Sequence, residues 1–128
     1  LNPGGVRIGT AEIYRQVDQI EQGPDSLIVG QDWKKDVRVI LFVQMAVGQH
    51  LTDEVRSKIV TTIRSNASPR HVPAKIIEVP DIPYTHNMKK VEIAVKKVIS
   101  GKEVLNKDAL RNPEALDYYA KIIELQKD

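Results

Sequence analysis

Two short stretches of this chain carry side chains suited to handling phosphate and carboxylate groups. The first is Ile82-Pro83-Tyr84-Thr85-His86-Asn87-Met88-Lys89-Lys90, running on into Val91-Glu92. A loop held by proline that delivers an ammonium group can stabilise negative charge developing on a carboxylate and a phosphate. The second is the opening Asn2-Pro3-Gly4-Gly5-Val6-Arg7-Ile8-Gly9-Thr10, with three glycines ahead of a helix. Glycine permits close backbone approach, Arg7 offers a forked phosphate donor, and a helix N-terminus adds amides and a positive dipole end. Read alone, each stretch has a simpler explanation: a solvated loop with two ordinary lysines, and a flexible entry to a domain.

The remaining titratable residues form no comparable pattern. His50, His71 and His86 lack the spacing of a metal site, and no protein zinc site is expected. His86 lies within the loop and is close enough in sequence to touch a ligand there. Trp33, Tyr118 and Tyr119 read as packing or interface residues rather than a stacking platform, and Glu12 and Glu92 as exposed helix positions.

The elements that must position these groups follow from apolar periodicity. Thr10 is placed to cap a helix carrying Ile13, Val17 and Ile20, with Gly23-Pro24 ending it. Residues 26–30 and 37–43 read as neighbouring antiparallel strands joined by the polar stretch 31–36, which holds Trp33. Thr52, followed by Asp53 and Glu54, starts a second helix with Val55, Ile59 and Ile63 on one face and Arg64 near its end. Residues 75–79 form a third strand stopped by Pro80, and residues 80–89 have no periodicity and form a loop. Val91, Ala94, Val95, Val98 and Ile99 then mark a helix ended by Gly101. After a polar linker, Asn112-Pro113 begins a last helix with Leu116, Tyr119 and Ile123. The order predicts one small α+β domain: a short, mostly antiparallel three-stranded sheet covered by helices.

Bulk properties narrow the classes further. The chain has 128 residues, 41% hydrophobic, enough for one core of ordinary size. It begins with Leu, and the start shows no signal-peptide pattern, so an upstream segment is expected to have been removed. No apolar run is long enough to span a bilayer. The absence of cysteine excludes disulfide and thiolate chemistry and suits a cytoplasmic location. Nineteen basic and 17 acidic residues are interspersed, giving a formal charge of +2. That balance, with 5% aromatics, argues against an RNA-binding module, the rival class for a small basic α/β domain, and against a membrane partner.

Taken together, the two stretches resemble the C-terminal domain of the adenylate-forming enzymes, the superfamily of acyl-CoA synthetases, luciferases and peptide-synthetase adenylation domains. Residues 5 to 13, Gly-Val-Arg-Ile-Gly-Thr-Ala-Glu-Ile, are similar to the segment after that family's interdomain hinge. Pro83-Tyr84-Thr85-His86-Asn87-Met88-Lys89 is similar to its Pro-Lys-Thr-x-Ser-Gly-Lys loop. Within the superfamily, Ile82-Pro83-Tyr84-Thr85, Lys89-Lys90-Val91-Glu92, Arg70-His71-Val72-Pro73 and the stretch 112–116 are most similar to the acetoacetyl-CoA synthetases. The likeness covers essentially the whole chain.

The resemblance implies an AMP-forming acetoacetate:CoA ligase that uses MgATP and CoA, in which a small domain rotates against a large N-terminal domain between adenylation and thioester formation. Lys89 would be the adenylation lysine. Gly4 and Gly5 would line the channel for the pantetheine arm of CoA, Arg7 would lie at the nucleotide phosphates and Arg64 near the CoA phosphates, an assignment that competes with a plain surface arginine. The ATP pocket, the Mg²⁺ ligands and the acid pocket would lie in the N-terminal domain, so a related synthetase acting on another short or aryl acid fits these residues too, and the isolated domain is expected to be inactive. Two departures stand out. Met88 replaces the family glycine, and if that position needs a positive φ it imposes strain of roughly 1 to 2 kcal/mol. Tyr84 replaces a lysine of the broader motif, as in the acetoacetate branch; adjacent Lys90 could substitute for Lys89, though the spacing favours Lys89.

Overall fold

The structure is a computed structural model that describes residues 8–20, 25–105 and 107–128. Its centre is a three-stranded sheet of β1 (Asp25–Trp33), β2 (Asp36–Gln44) and β3 (Lys75–Glu78), in the order β1-β2-β3. Strands β1 and β2 form an antiparallel hairpin with Leu27 opposite Phe42 and Val29 opposite Ile40. Strand β3 runs parallel to β2, with Phe42 beside Ile77, so the sheet is mixed, the longer β1–β2 pairing being the antiparallel one. The cause is the intervening helix α2 (Asp53–Asn66): a helical crossover between adjacent strands returns the chain in the same direction.

The hairpin is longer than the apolar pattern predicts. Only Lys34 and Lys35 turn, with φ values of 49° and 65°, and Gln31, Asp32 and Trp33 remain in β1. Positive φ at both central residues gives the twist that a two-residue hairpin requires. Gln31 is buried within the strand because its amide donates to the Leu125 carbonyl at 2.9 Å and its Oε1 accepts from Arg38 Nε at 2.7 Å. A polar residue in a strand interior is tolerated when both ends of its amide are bonded.

Because β2 is central and covered on both faces, its run Val39 to Val43 is continuously apolar and continuously buried. Alternate side chains enter two cores. Helix α1 (Thr10–Val17) and α2 pack Ile13, Val17, Ile59 and Ile63 against Ile28, Leu41 and Val43. On the other face, α3 (Glu92–Ile99) and α4 (Leu116–Tyr119) pack Val95, Leu116 and Tyr119 against Leu27, Val29, Ile40 and Phe42. Phe42 and Tyr119 meet edge to face with ring centroids 4.9 Å apart.

Helix starts follow the sequence unevenly. Thr52 caps α2, its hydroxyl accepting from Val55 N–H at 3.2 Å. Thr10 instead is the first residue of α1, whose cap position is Gly9 without a side-chain bond. The helix ends at Val17, although Ile20 is still buried; Gly23-Pro24 lies outside the described residues. The last helix is broken into a 3₁₀ turn at Pro113–Ala115, α4, and another 3₁₀ turn at Ile123–Gln126. No helix among the described residues is long and apolar enough to cross a membrane.

Candidate functional site

The stretch after β3 folds as a small hairpin rather than an irregular loop. Tyr84 pairs with Lys90 as an antiparallel bridge, Lys89 O accepts from Thr85 N–H at 2.8 Å, and Thr85 O accepts from Met88 N–H at 2.9 Å. The Thr85 hydroxyl also accepts Lys89 N–H at 3.1 Å. Met88 closes the turn in the left-handed region at φ 61°, where glycine is the easy choice. The strain anticipated for methionine there is therefore present, and its side chain gains little packing in return, being 55% exposed.

The hairpin is braced on two sides. Asn112 was expected to cap a helix but makes no capping bond; its buried amide holds the loop instead. Its Oδ1 accepts from Tyr84 N–H at 2.9 Å, and its Nδ2 donates to Asp81 Oδ2 at 2.7 Å and to Ile82 O at 2.9 Å. Thr85 bridges to Leu110, and His86 binds the polar linker through Ala109 O and Asp108 O. A linker predicted only from polarity thus forms one wall of the loop.

On the opposite side, Asp25 receives both strands of the hairpin. The Tyr84 hydroxyl donates to Asp25 Oδ2, and Lys90 Nζ lies 3.6 Å from Asp25 Oδ1. The same Nζ sits 4.1 Å from the ring centroid of Tyr14 in α1, a cation–π contact. Tyr14 Oη in turn accepts from Ile28 N–H at 2.8 Å and neighbours the Glu92 carboxyl. Burial pushes the Tyr14 and Tyr84 hydroxyls far above the ordinary phenol range; Asp25 adds to the effect on Tyr84. Burial likewise raises the Glu92 carboxyl, opposed by the Tyr14 hydroxyl and by Lys90.

This arrangement separates the two lysines. Lys90 is half-buried and engaged with Asp25 and Tyr14. Lys89 is exposed, and among the described residues its ammonium group has no ion-pair partner. Arg64 is exposed in the last turn of α2. No hydrogen bond or ion pair among the described residues joins Arg64 to the lysine loop. Gly4, Gly5 and Arg7 lie outside the described residues, as does most of the glycine-rich opening. Ile8, the first described residue, is buried in the α1–α2 core.

The three histidines lie apart: His50 beside Glu78, His71 beside Ser68, and His86 on Asp108 O. No group of three or more His, Asp or Glu that could hold a metal occurs among the described residues. Trp33 carries Arg38 over its ring at 4.0 Å and donates to Asp128 Oδ1 at 2.8 Å. Tyr119 is a core residue whose hydroxyl donates to Asp81 O at 2.9 Å. Glu12 bonds Arg15 and Gln16 of its own helix. Sequence reading passed over Asp25 and Tyr14 as parts of the site, since neither is near the loop in the chain nor belongs to a motif.

No protein-family model matches the chain. Among curated proteins it is 59% identical over 126 residues to the acetoacetyl-coenzyme A synthetase of Rhizobium meliloti (strain 1021), covering 98% of this chain and 19% of that protein. It is 50% identical over 121 residues to the acetoacetyl-CoA synthetase of Caenorhabditis elegans, covering 93% of this chain and 17% of the relative. Among solved structures, it superposes on the acetoacetyl-CoA synthetase from Streptomyces lividans with a TM-score of 0.84 and 35% identity, over 95% of this chain and 19% of that one. The Brucella canis acyl-CoA synthetase shares the fold, with a TM-score of 0.67 at 23% identity over 75% of this chain and 18% of that one. Fold, loop and relatives agree: the chain belongs to the acyl-CoA synthetase superfamily and spans about a fifth of the length of these relatives. Its similarity within that superfamily is to the acetoacetyl-CoA synthetases.

Proposed function

We propose that this chain is the C-terminal domain of an AMP-forming acetoacetate:CoA ligase and that Lys89 supplies the positive charge used in its adenylation step. In that reaction a carboxylate oxygen of acetoacetate bonds to the α-phosphorus of MgATP as pyrophosphate leaves. The thiol of CoA then attacks the acyl carbon, losing its proton, and AMP departs as the C–O bond breaks. The observation that carries this reading is the state of Lys89: an exposed ammonium at the end of a braced turn, with no ion-pair partner among the described residues, beside a lysine already held by a carboxylate. A preorganised cation aimed at developing charge acts without rearrangement at the moment of reaction. Lys89 acts here by charge and not as a nucleophile.

The other assignments belong to the same reading. Gly4 and Gly5 line the passage for the pantetheine arm, Arg7 contacts the nucleotide phosphates and Arg64 the phosphates of CoA, where a guanidinium binds in a fork. The Mg²⁺ enters with ATP, and no described residue is assigned to it. The partner of this domain is the N-terminal domain of the same polypeptide, which carries the acid and nucleotide pockets; the 128-residue chain alone does not turn over. Exposed Ile93 and Leu105, which share a groove with Thr85 beside the loop, suit docking against such a domain. The enzyme works in the cytoplasm, without nucleic-acid or membrane partners. A synthetase for another short acid differs only in the acid pocket, outside this chain.

The test uses the full-length polypeptide, wild type beside Lys89→Ala, with acetoacetate, acetate and propionate as competing acids. Pyrophosphate release falls by about 100-fold or more, thioester formation from supplied acyl-adenylate persists, and acetoacetate is preferred. Undiminished pyrophosphate release in Lys89→Ala would make Lys89 ordinary surface; preference for acetate or propionate would move the enzyme to the alternative acid.

A further inference from the structure

The lysine next to Lys89 is engaged in a way that bears on the reaction. Lys90 and Tyr84 form the last pair before the turn, so they flank residues 85–89 on both sides. Both reach one carboxylate, that of Asp25, through different oxygens. Asp25 Oδ1 is itself oriented by Ser26 N–H at 2.9 Å, and Asp25 is the first residue of β1, so the anchor belongs to the sheet. The Tyr14 ring that supports Lys90 is fixed by the bond from Ile28 N–H, also of β1. In extended backbone, successive side chains point to opposite sides. Holding Lys90 inward therefore turns Lys89 outward, and fixing one Cα fixes the next.

We infer that Lys90, with Asp25 and Tyr84, forms a positioning unit that sets the direction of Lys89 for adenylation. The inference rests on the adenylation role proposed for Lys89. Lys90 touches no substrate; its charge is spent on Asp25 and Tyr14. Asp25 clamps both strands of the hairpin base, so losing any one member leaves the turn attached but free to tilt. Displacement of a reacting group by about an ångström lowers a rate by about 100-fold. The effect falls on turnover in the step that uses Lys89, while substrate affinity, set elsewhere, is spared.

The experiment uses the full-length polypeptide and compares Lys90→Met, Lys90→Arg, Asp25→Asn, Tyr84→Phe, Asp25→Asn/Lys90→Met and Lys89→Ala. Pyrophosphate release with acetoacetate and thioester formation from supplied acetoacetyl-adenylate are measured separately, together with thermal melting. Lys90→Met is expected to lower kcat for adenylation by about 10- to 100-fold with KM for ATP and acetoacetate changed less than about twofold, leaving thioester formation intact. Lys90→Arg retains most of the rate, because a guanidinium preserves both the ion pair and the ring contact. Asp25→Asn and Tyr84→Phe each lower adenylation to a lesser degree, and the double variant is no slower than Lys90→Met.

Wild-type adenylation in Lys90→Met, with Lys89→Ala inactive, overturns the positioning role and leaves the Lys89 reading standing. Loss in Lys90→Met as complete as in Lys89→Ala, without rescue by arginine, means that Lys90 meets the substrate itself and also overturns it. An equal fall in both half-reactions with a lowered melting temperature reduces Lys90 to a structural residue. Full activity in Lys89→Ala refutes the adenylation role on its own account, whatever Lys90 does.

Discussion

Asn112 Oδ1 accepts the backbone N–H of Tyr84 at 2.9 Å, joining residues 28 positions apart at the root of the lysine loop. The same amide donates to Asp81 Oδ2 and Ile82 O, so one buried side chain satisfies both flanks of Pro83. Asn112→Ala removes all three bonds and strands the Tyr84 amide. The expected loss is about 2 to 4 kcal/mol, the cost of unsatisfied buried polar groups, read as a lower urea midpoint with an unchanged slope. A midpoint equal to wild type would show that water replaces the amide.

Met88 offers a test of backbone strain without confounding packing. Its φ of 61° is one that L side chains adopt at a cost of roughly 1 to 2 kcal/mol, and its side chain is more than half exposed. Met88→Gly removes that cost but adds unfolded-state entropy of about 0.5 to 1 kcal/mol, leaving a net gain of up to about 1.5 kcal/mol. Met88→Val, branched at Cβ, loses about 1 kcal/mol or more at the same φ. Paired denaturation curves decide it: if valine matches methionine and glycine destabilises, the left-handed turn is not formed in solution.

Glu92 carries a pH dependence whose sign follows from its surroundings. Burial raises its carboxyl above the ordinary 4.5, with Tyr14 from α1 and Lys90 from the loop acting the other way. A raised folded-state value means the protonated form is favoured on folding; its contribution is full below the unfolded value and is lost as pH rises through the folded one. Glu92→Gln keeps a hydrogen-bonding group without that charge. The variant is expected to be more stable than wild type at neutral pH and to converge with it below about pH 4. Melting curves at pH 4 and pH 7 that differ equally between the two proteins would assign the effect to packing.

Helix α2 begins with a cap that can be removed cleanly. Thr52→Ala deletes the hydroxyl bonded to Val55 N–H, and Thr52→Ser restores it. The alanine variant should lose about 1 kcal/mol and the serine variant little, measured by chemical denaturation. Equal losses would implicate the methyl group instead.

How much of this was legible beforehand depended on the range of the forces involved. Helix α2, with Val55, Ile59 and Ile63 at fourfold spacing, and α3, stopped by Gly101 at φ 75°, stand where periodicity put them. The end of β1 was drawn short because Gln31 is polar yet lies within the strand, its cost offset by a bond to Leu125 about ninety residues away. The parallel sense of β3 was left open by the sequence because pairing direction leaves no local trace.

By itself, the sequence determined the order of elements, the apolar faces and the family of the lysine loop, since each depends on neighbours within a few positions. Only the tertiary structure decided which lysine is held and which projects. That choice is made by Asp25 and Tyr14, 65 and 76 residues from Lys90 in the chain, and an ion pair or ring contact at such separation exists only once the sheet and α1 have brought the groups within about 4 Å.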